Sequence, residues 1–338
     1  MARGVSWKEH AAALGARIPL SALHPKALAQ LEDSGRRRWG IALSGGADSV
    51  CLLLLLWQHF PARRRSWVVL HFNHRLRGAA SDRDAQFCQA LAKGLGLAYV
   101  SATWRKATKA GGEAAARSAR FAFFESACRT RRIDTLVFGH QQDDVAESIL
   151  MRLARGSSAG GLAAPRPAHR QDSGRVHVRP LLTLRKAAIE EMLRAESIPW
   201  RKDATNAAPT FFRNRVRAEV IPAWQQAAGR DAVAGAALSR ERLEEDDEAL
   251  EAWVDRLDVL TPRGALRLTA LAGAPRAVAR RALHRWLLNQ APAADISRQA
   301  FELLLASVIA GKPTRHSLGR QGFAVLAKGR LNYVLGPI

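Results

Sequence analysis

Residues 38–49 read RWGIALSGGADS, and this stretch decides the fold. Its first six residues have the apolar character of a buried strand, and an apolar helix is predicted from Val50 to His59. Two glycines between the strand and the helix let the backbone approach a ligand closely. The serine hydroxyls can donate hydrogen bonds, and the amino terminus of the helix adds the positive end of its dipole. The segment therefore predicts an anion cradle. Its members are Ser44, Gly45, Gly46, Ala47, Asp48 and Ser49.

The position of Asp48 narrows the choice of anion. A carboxylate inside a phosphate cradle is repulsive unless a divalent cation lies between the two, so Asp48 predicts Mg²⁺ with ATP. The segment lacks the Gly-Lys-Ser/Thr of a Walker A loop and the spacing of the dinucleotide fingerprint. The alternative is a plain strand-to-helix turn in which Ser or Asp caps the helix.

Outward from the cradle, short apolar runs alternate with helical patterns. Strands are predicted at 66–72, 97–101 and 134–138, and helices at 84–93, 113–132 and 145–153. This order predicts an α/β fold, with a Rossmann-like parallel sheet and helices on both faces. Ligands of such sheets bind at the carboxyl ends of the strands.

The alternation stops after residue 155, which predicts a change of domain further on. A basic loop rich in Gly, Ser and Pro is expected at about 156–178, followed by a short helix at 185–196. From Trp224 the pattern is helical, with an acidic block at 244–248 interpreted as a solvated helix face and a small hairpin within 315–334. We expect a catalytic ATP-binding domain over 1–222 and a smaller, mostly helical domain over 223–338.

Composition points to an anionic partner. The chain has 338 residues, a formal net charge of +22 and a pI of about 11.3. A high-GC genome would explain why arginine replaces lysine, but not why basic residues outnumber Asp and Glu. Nucleic acid is therefore the expected partner. Cys51, Cys88 and Cys128 form no Cys-x-x-Cys pair, which argues against zinc ribbons and iron–sulfur ligation. With no long apolar run, a cytoplasmic protein without membrane contact is expected.

The fourth strand runs into a cluster of polar residues at 139–148. Asp143 and Glu147 are spaced to share a helix face at the mouth of the sheet, and His140 precedes them. We predict that Asp48 and Asp143 hold Mg²⁺, that Asp48, Asp143 and Glu147 are catalytic, and that His140 belongs to the ATP site. The alternative is that Asp143 and Asp144 merely cap the helix.

A basic segment further along predicts contact with RNA. Arginine forks pair with phosphates and stack on bases, so Arg213, Asn214, Arg215 and Arg217 are predicted to bind tRNA, and Arg215 is also placed among the catalytic residues. A solvated basic face is the alternative. Trp200 could stack on a base or lie in the core.

These motifs together carry a resemblance. The sequence Ser-Gly-Gly-x-Asp-Ser after the first strand resembles the PP-loop of the ATP pyrophosphatase superfamily, which has an adenine nucleotide alpha hydrolase-like fold. Over roughly residues 38 to 222 the chain resembles the tRNA(Ile)-lysidine synthetase family. The matching stretches are 71–77, 113–117, 139–148, 153–156, 179–182, 200–206 and 213–217. It departs from that family at Gln141, where a second histidine is common, and at Ser148, where threonine is common.

The resemblance implies a two-step reaction on the CAU anticodon of isoleucine tRNA. ATP adenylates the C2 oxygen of the wobble cytidine, releasing pyrophosphate, and free L-lysine then displaces AMP to form lysidine. Glu147 is a candidate to accept the proton of the amine. The carboxyl-terminal part is expected to grip the tRNA backbone through four arginines, Arg276, Arg280, Arg281 and Arg285.

Other readings of the sequence stay open. A PP-loop tRNA thiolase would need a cysteine pair, and an NAD or GMP synthetase would not need the positive charge. A non-catalytic RNA-binding protein could keep an inactive cradle. The oligomeric state is open, with a homodimer as one alternative.

Overall fold

A six-stranded sheet organises the first of two units, Met1–Arg242, in the computed structural model. The structure describes residues 5–35, 37–75, 78–104, 112–202, 211–290, 296–319 and 322–336. The strand order is β3-β2-β1-β4-β6-β5, and all neighbours are parallel except β5 and β6. The strands are β1 (Arg38–Ala42), β2 (Trp67–Asn73), β3 (Ala98–Thr103), β4 (Ile133–Val137), β5 (Ala168–Arg170) and β6 (Val176–Val178). The predicted α/β class is confirmed.

Eleven helices precede, connect or follow the strands of this sheet within the described residues. They are α1 (Trp7–Arg17), α2 (Pro25–Glu32), α3 (Ala47–His59), α4 (Ala79–Gly94), α5 (Gly112–Arg131), α6 (Gln142–Leu153), α7 (Ala159–Leu162), α8 (Lys186–Ala195), α9 (Phe212–Arg215), α10 (Ile221–Ala228) and α11 (Ala232–Leu257). A π-helical turn, Val216–Val220, joins α9 to α10. Helix α3 is apolar on every side, with each residue from Ser49 to Trp57 buried, as expected of a helix enclosed within a core.

The predicted loop at 156–178 is more ordered than the sequence indicates. It contains α7 and the hairpin of β5 and β6, and β6 lies parallel to β4. Val176 and Val178 are buried beside β4, so this hairpin extends the sheet. The prediction of a loop without regular structure was wrong, because pairing with the edge of β4 stabilises strands too short to show a pattern.

The second unit, Leu243–Ile338, contains a four-stranded antiparallel sheet with the order β7-β10-β9-β8. Its strands are β7 (Leu266–Arg267), β8 (Thr314–Ser317), β9 (Gly322–Ala327) and β10 (Arg330–Leu335), and its further helices are α12 (Arg276–Leu288) and α13 (Arg298–Ala310). The hairpin expected within 315–334 is present as β9 and β10. The mostly helical character expected from Trp224 is confirmed. The sheet is larger than the expected hairpin, because β7 and β8 pair with its two strands beside a core that includes Trp286 and Leu304.

The acidic block in α11 is not a fully solvated face. Glu244 and Asp247 are buried, and Asp247 forms an ion pair with Arg281 of α12. Arg285, also of α12, pairs with Glu251 and Asp255 of α11. The expectation of a solvated face was wrong at these buried positions, because α12 supplies the opposite charges.

The units divide after Arg242, later than the boundary placed after residue 222. Val233 and Ala236 of α11 pack in one hydrophobic cluster with Val145 and Ile149 of α6, which explains why the first unit extends into α11. The assignment of ATP binding to 1–222 and tRNA binding to 223–338 stays a prediction. Across the described ranges, the helices are too short or too polar to cross a membrane.

Candidate active site

The segment from Ser44 to Ser49 joins β1 to α3 in a turn that its own hydroxyls hold. The Ser44 amide donates to Ser49 Oγ at 3.2 Å, and Ser49 Oγ donates to the Gly46 carbonyl at 3.0 Å. Gly45 has φ of +88°, and a Cβ there would lie 3.1 Å from Cys88 Sγ. Only glycine suits this position, because the conformation is strained for other residues and the space is filled. The turn therefore has the shape predicted for an anion cradle.

The end of β4 lies directly against this cradle. A Cβ on Gly139 would lie 2.9 Å from the Asp48 carbonyl oxygen and 3.1 Å from the Ser49 amide nitrogen. This close approach of two backbones brings the segment that begins at His140 beside the first turn of α3. The carboxyl ends of β1 and β4 thus place the two main predicted motifs together, at the edge where parallel sheets bind ligands.

Asp48 has a buried carboxylate with the properties of a cation ligand. Its Oδ1 atom is buried and has no hydrogen-bond partner among the described residues. Burial, followed by the charge of Asp144, raises the pKa of Asp48 to about 7, against the opposing effect of Lys186 and Arg217. A divalent cation would satisfy this oxygen, so the residue fits the predicted Mg²⁺.

A metal at this site would depend on ligands from the substrate. Within the described ranges, no group of three or more His, Cys, Asp or Glu side chains is arranged to hold a metal ion. Mg²⁺ commonly uses one or two carboxylates together with substrate phosphates and water. Asp48 beside a phosphate cradle agrees with that pattern.

Asp143 is engaged with the start of α8. Its Oδ2 accepts a hydrogen bond from the Lys186 amide at 2.8 Å, and its Oδ1 lies 3.3 Å from Arg185 Nη2. Arg185 also pairs with Asp231 at 2.7 Å. Asp143 does not cap its own helix through these contacts. Asp143 therefore joins α6 to the start of α8.

Glu147 lies at the centre of a buried ion-pair cluster. Its side chain is fully buried, and it accepts bonds from Arg213 Nε at 2.6 Å and Arg217 Nε at 2.5 Å. Arg213 Nη2 also binds Asp144 Oδ1 at 2.6 Å, while Asp144 Oδ2 accepts from the Gln141 amide at 3.0 Å. The capping interpretation therefore holds for Asp144. The cluster of Asp144, Glu147, Arg213 and Arg217 fixes α9 and the π turn against α6.

The four predicted tRNA-binding residues separate into two kinds. Arg213 and Arg217 direct their guanidinium groups at buried carboxylates. Burial alone would lower the pKa of Arg217, but its hydrogen bonds to Glu147 raise it above the ordinary value. Arg215 is exposed and its guanidinium carbon lies 6.0 Å from the centre of the Phe212 ring, while Asn214 is half-buried. Arg215 is the arginine of this set that is placed to meet a large ligand.

His140 lies among positive charges. Its ring centre is 5.6 Å from that of Phe138. Burial, followed by the charges of Arg179, Arg213 and Arg120, holds the pKa of His140 well below its ordinary value. His140 is therefore neutral at pH 7 and can take part in hydrogen bonds without adding charge.

Some residues at the site were not predicted from the sequence. Arg201 donates its amide to the Gly45 carbonyl at 2.8 Å, and its Nε pairs with Asp84 at 2.7 Å, so it supports the cradle from outside. Trp200 packs against the core with Arg194 5.6 Å from its ring centre, which favours the core interpretation. Residues 76–77 and 203–206 of the motifs lie outside the described residues, as does the side chain of Glu113.

Comparison with known proteins identifies the chain. A PP-loop domain family matches residues 20–224. The tRNA(Ile)-lysidine synthase of Gloeobacter violaceus is 35% identical over 248 residues, which cover 73% of this chain and 75% of that protein. The enzyme of the same name from Thermobifida fusca is 34% identical over 249 residues, which cover 72% of this chain and 75% of that protein. This chain belongs to the tRNA(Ile)-lysidine synthase family of PP-loop proteins.

Other relatives in this family match over a smaller share of their length. The tRNA(Ile)-lysidine synthase of Solibacter usitatus is 42% identical over 187 residues, which cover 55% of this chain and 40% of that protein. The chain thus spans about two fifths of the length of the first curated relatives it matches. The match covers the part of the lysidine synthase family that contains the cradle and the α6 carboxylates.

Proposed function

We propose that this chain ligates free L-lysine to C2 of the wobble cytidine in the CAU anticodon of isoleucine tRNA, using ATP. The observation that carries the proposal is the meeting of the Ser44–Ser49 cradle with the α6 segment through the Gly139 contact. The family relationship supports the substrates, and the net charge of +22 supports a nucleic-acid partner.

The first step is the adenylation of the base. The C2 oxygen attacks the α-phosphate of ATP and pyrophosphate leaves from the cradle. The cradle's backbone amides and the amino end of α3 would stabilise negative charge on the phosphates. The target base must leave the anticodon stack to reach this edge of the sheet. Exposed Arg215, on the segment next to α6, is placed to contact the RNA as it arrives.

Asp48 and Asp143 are the residues we propose for holding Mg²⁺. Asp48 offers a buried oxygen without a partner, whereas Asp143 would share its carboxylate with Arg185. When bound, Mg²⁺ would offset the negative charge of the phosphates. Neutral His140 would line the ATP site and bind by hydrogen bonding rather than by charge.

The second step needs a neutral amine on lysine, which attacks C2 while AMP leaves. Glu147 is fully buried and bound by two arginines, so protonating it would break two ion pairs. We therefore propose that Glu147 acts as a positioning residue. It fixes Arg213 and Arg217, and with them the segment that carries Arg215.

The cysteines argue against a sulfur-transfer alternative. Cys51, Cys88 and Cys128 are buried and free. Burial raises the pKa of the Cys88 thiol to about 12 and that of Cys128 to about 11, so neither is an activated thiolate.

The test measures radiolabelled lysine in unmodified isoleucine tRNA with a CAU anticodon, in the presence of Mg²⁺ and ATP. We expect label in the tRNA with the wild-type chain and none with Asp48→Ala. An Arg17→Gln variant, altered at an exposed ion pair on α1, serves as the control. Absence of label while ATP is cleaved to AMP and pyrophosphate would overturn the proposed nucleophile or RNA.

A further inference from the structure

The opposite edge of the parallel sheet has a concentration of basic side chains. All parallel strands start at the same edge, and here each of β1 to β4 is preceded by, or begins with, lysine or arginine. We call this set the amino-edge basic surface. It consists of Arg37, Arg38, Arg63, Arg64, Arg65, Lys93, Arg129, Arg131 and Arg132. It lies away from the cradle, which follows the carboxyl end of β1.

Contacts between these segments show that the surface is continuous. Arg63 Nη2 donates to the Arg37 carbonyl at 2.9 Å, which joins the start of β2 to the start of β1. Arg38 Nη1 donates to the Arg131 carbonyl at 3.1 Å, which joins β1 to the end of α5. The basic side chains at three strand starts therefore form one patch.

The charges of this patch are not balanced by ion pairs. Among the residues that the structure describes, none of the nine pairs with a carboxylate. Bonds to uncharged groups do not neutralise these arginines. Arg64 donates a hydrogen bond to the Trp57 carbonyl at 2.7 Å, and its guanidinium carbon lies 3.4 Å from the centre of the Trp57 ring. The guanidinium carbon of Arg63 lies 5.0 Å from the centre of the Trp39 ring. Six of the remaining seven are exposed arginines and the seventh is exposed Lys93.

This arrangement differs from that of arginines elsewhere in the chain. Arg217 and Arg281 are bound by buried carboxylates, and Arg285 by two carboxylates of α11. Close positive charges without counter-charges repel one another and destabilise the fold unless an anion binds them. The six exposed arginines of the surface have planar guanidinium groups, whose geometry suits contact with phosphates.

The anion that suits an extended patch on a rigid edge is a phosphodiester backbone. Strands of five residues span roughly 17 Å, so RNA at this edge is separated from a base that reacts at the other edge. We infer that the amino-edge basic surface binds the backbone of the substrate tRNA outside its anticodon stem-loop. This inference rests on the proposed function, because it takes tRNA as the substrate.

The test uses the double variant Arg65→Gln/Arg129→Gln. Both side chains are exposed, and neither forms a hydrogen bond or an ion pair within the described ranges, so the fold is not expected to change. The matched control is Lys8→Gln/Arg17→Gln, which removes the same charge from two exposed positions of α1, outside the surface and outside the predicted tRNA-binding residues. Binding of whole isoleucine tRNA and of its isolated anticodon stem-loop is measured between 50 and 200 mM salt, with the thermal midpoint as a check on folding.

We expect about tenfold weaker binding of whole tRNA by the test variant at low salt, and a salt slope smaller by about two. Binding of the stem-loop and all values for the control variant should stay at wild-type levels. Unchanged tRNA affinity, or an equal loss with the stem-loop, would overturn the inference. Failure of the wild-type chain to bind tRNA at all would instead count against the proposed function.

Discussion

Replacing Asp48 by Asn tests whether the cradle stores a destabilising charge. In the folded chain burial raises the pKa of Asp48 to about 7, while the ordinary value is 3.8. A raised carboxyl pKa means that the native state binds a proton more tightly than the unfolded state. Native stability therefore falls as pH rises from about 4 to about 7, and the loss is complete above pH 7. Asn has the same shape and carries no such charge.

The size of the effect follows from the two pKa values. Their difference corresponds to at most about 4 kcal/mol. Solvent near a partly exposed side chain reduces this, so we expect Asp48→Asn to be more stable than wild type by about 2 kcal/mol at pH 8. At pH 4 the two proteins should be equally stable.

Urea denaturation at pH 4, 6 and 8 without divalent cations measures this difference. We expect it to grow with pH, and to shrink at pH 8 when Mg²⁺ and ATP are added, because a cation compensates the wild-type carboxylate. A variant that is less stable than wild type at pH 8 would refute the reasoning. So would a difference that does not depend on pH.

Three further substitutions test other contacts. Gly139→Ala would press a methyl group against the Asp48 carbonyl, so we expect a loss of about 1–3 kcal/mol and weaker ATP binding, both visible in a nucleotide-binding thermal shift. Glu147→Gln should lower the free energy of unfolding by about 3 kcal/mol, because Asp144 becomes the one carboxylate of the cluster that faces Arg213 and Arg217; a midpoint in urea unchanged from wild type would contradict this. Arg281→Met should destabilise the second unit by about 3 kcal/mol by removing an ion pair of the buried Asp247 carboxylate, and ATP binding by the first unit should not change.

The fold could be predicted where the pattern was strong. An apolar run before two glycines specified β1 and the turn after it. Helix α3 starts at Ala47 rather than Val50, because small and polar residues in a first turn show no apolar period. The strands β5 and β6 have three residues each, too few for any period, and their stability comes from pairing rather than composition.

The candidate site was only partly predictable, because spacing locates a carboxylate but not its partner. Asp143 and Glu147 were expected to act together, yet Asp143 bonds to α8 and Glu147 to Arg213 and Arg217. Those partners lie 42 to 70 positions away in sequence. Arg201 lies in one of the matching sequence stretches, but its hydrogen bond to the Gly45 carbonyl joins residues far apart in sequence and could not be predicted from the motif.

The enclosure of α3 has a consequence for how the protein opens. A helix buried on all sides cannot fray outward, since its amides reach water only when the surrounding core separates. Deuterium should therefore enter α3 as slowly as the most protected part of the first unit. The cradle is attached to the amino end of that helix, so ATP would meet a turn already in its bound shape, and little ordering would accompany its capture.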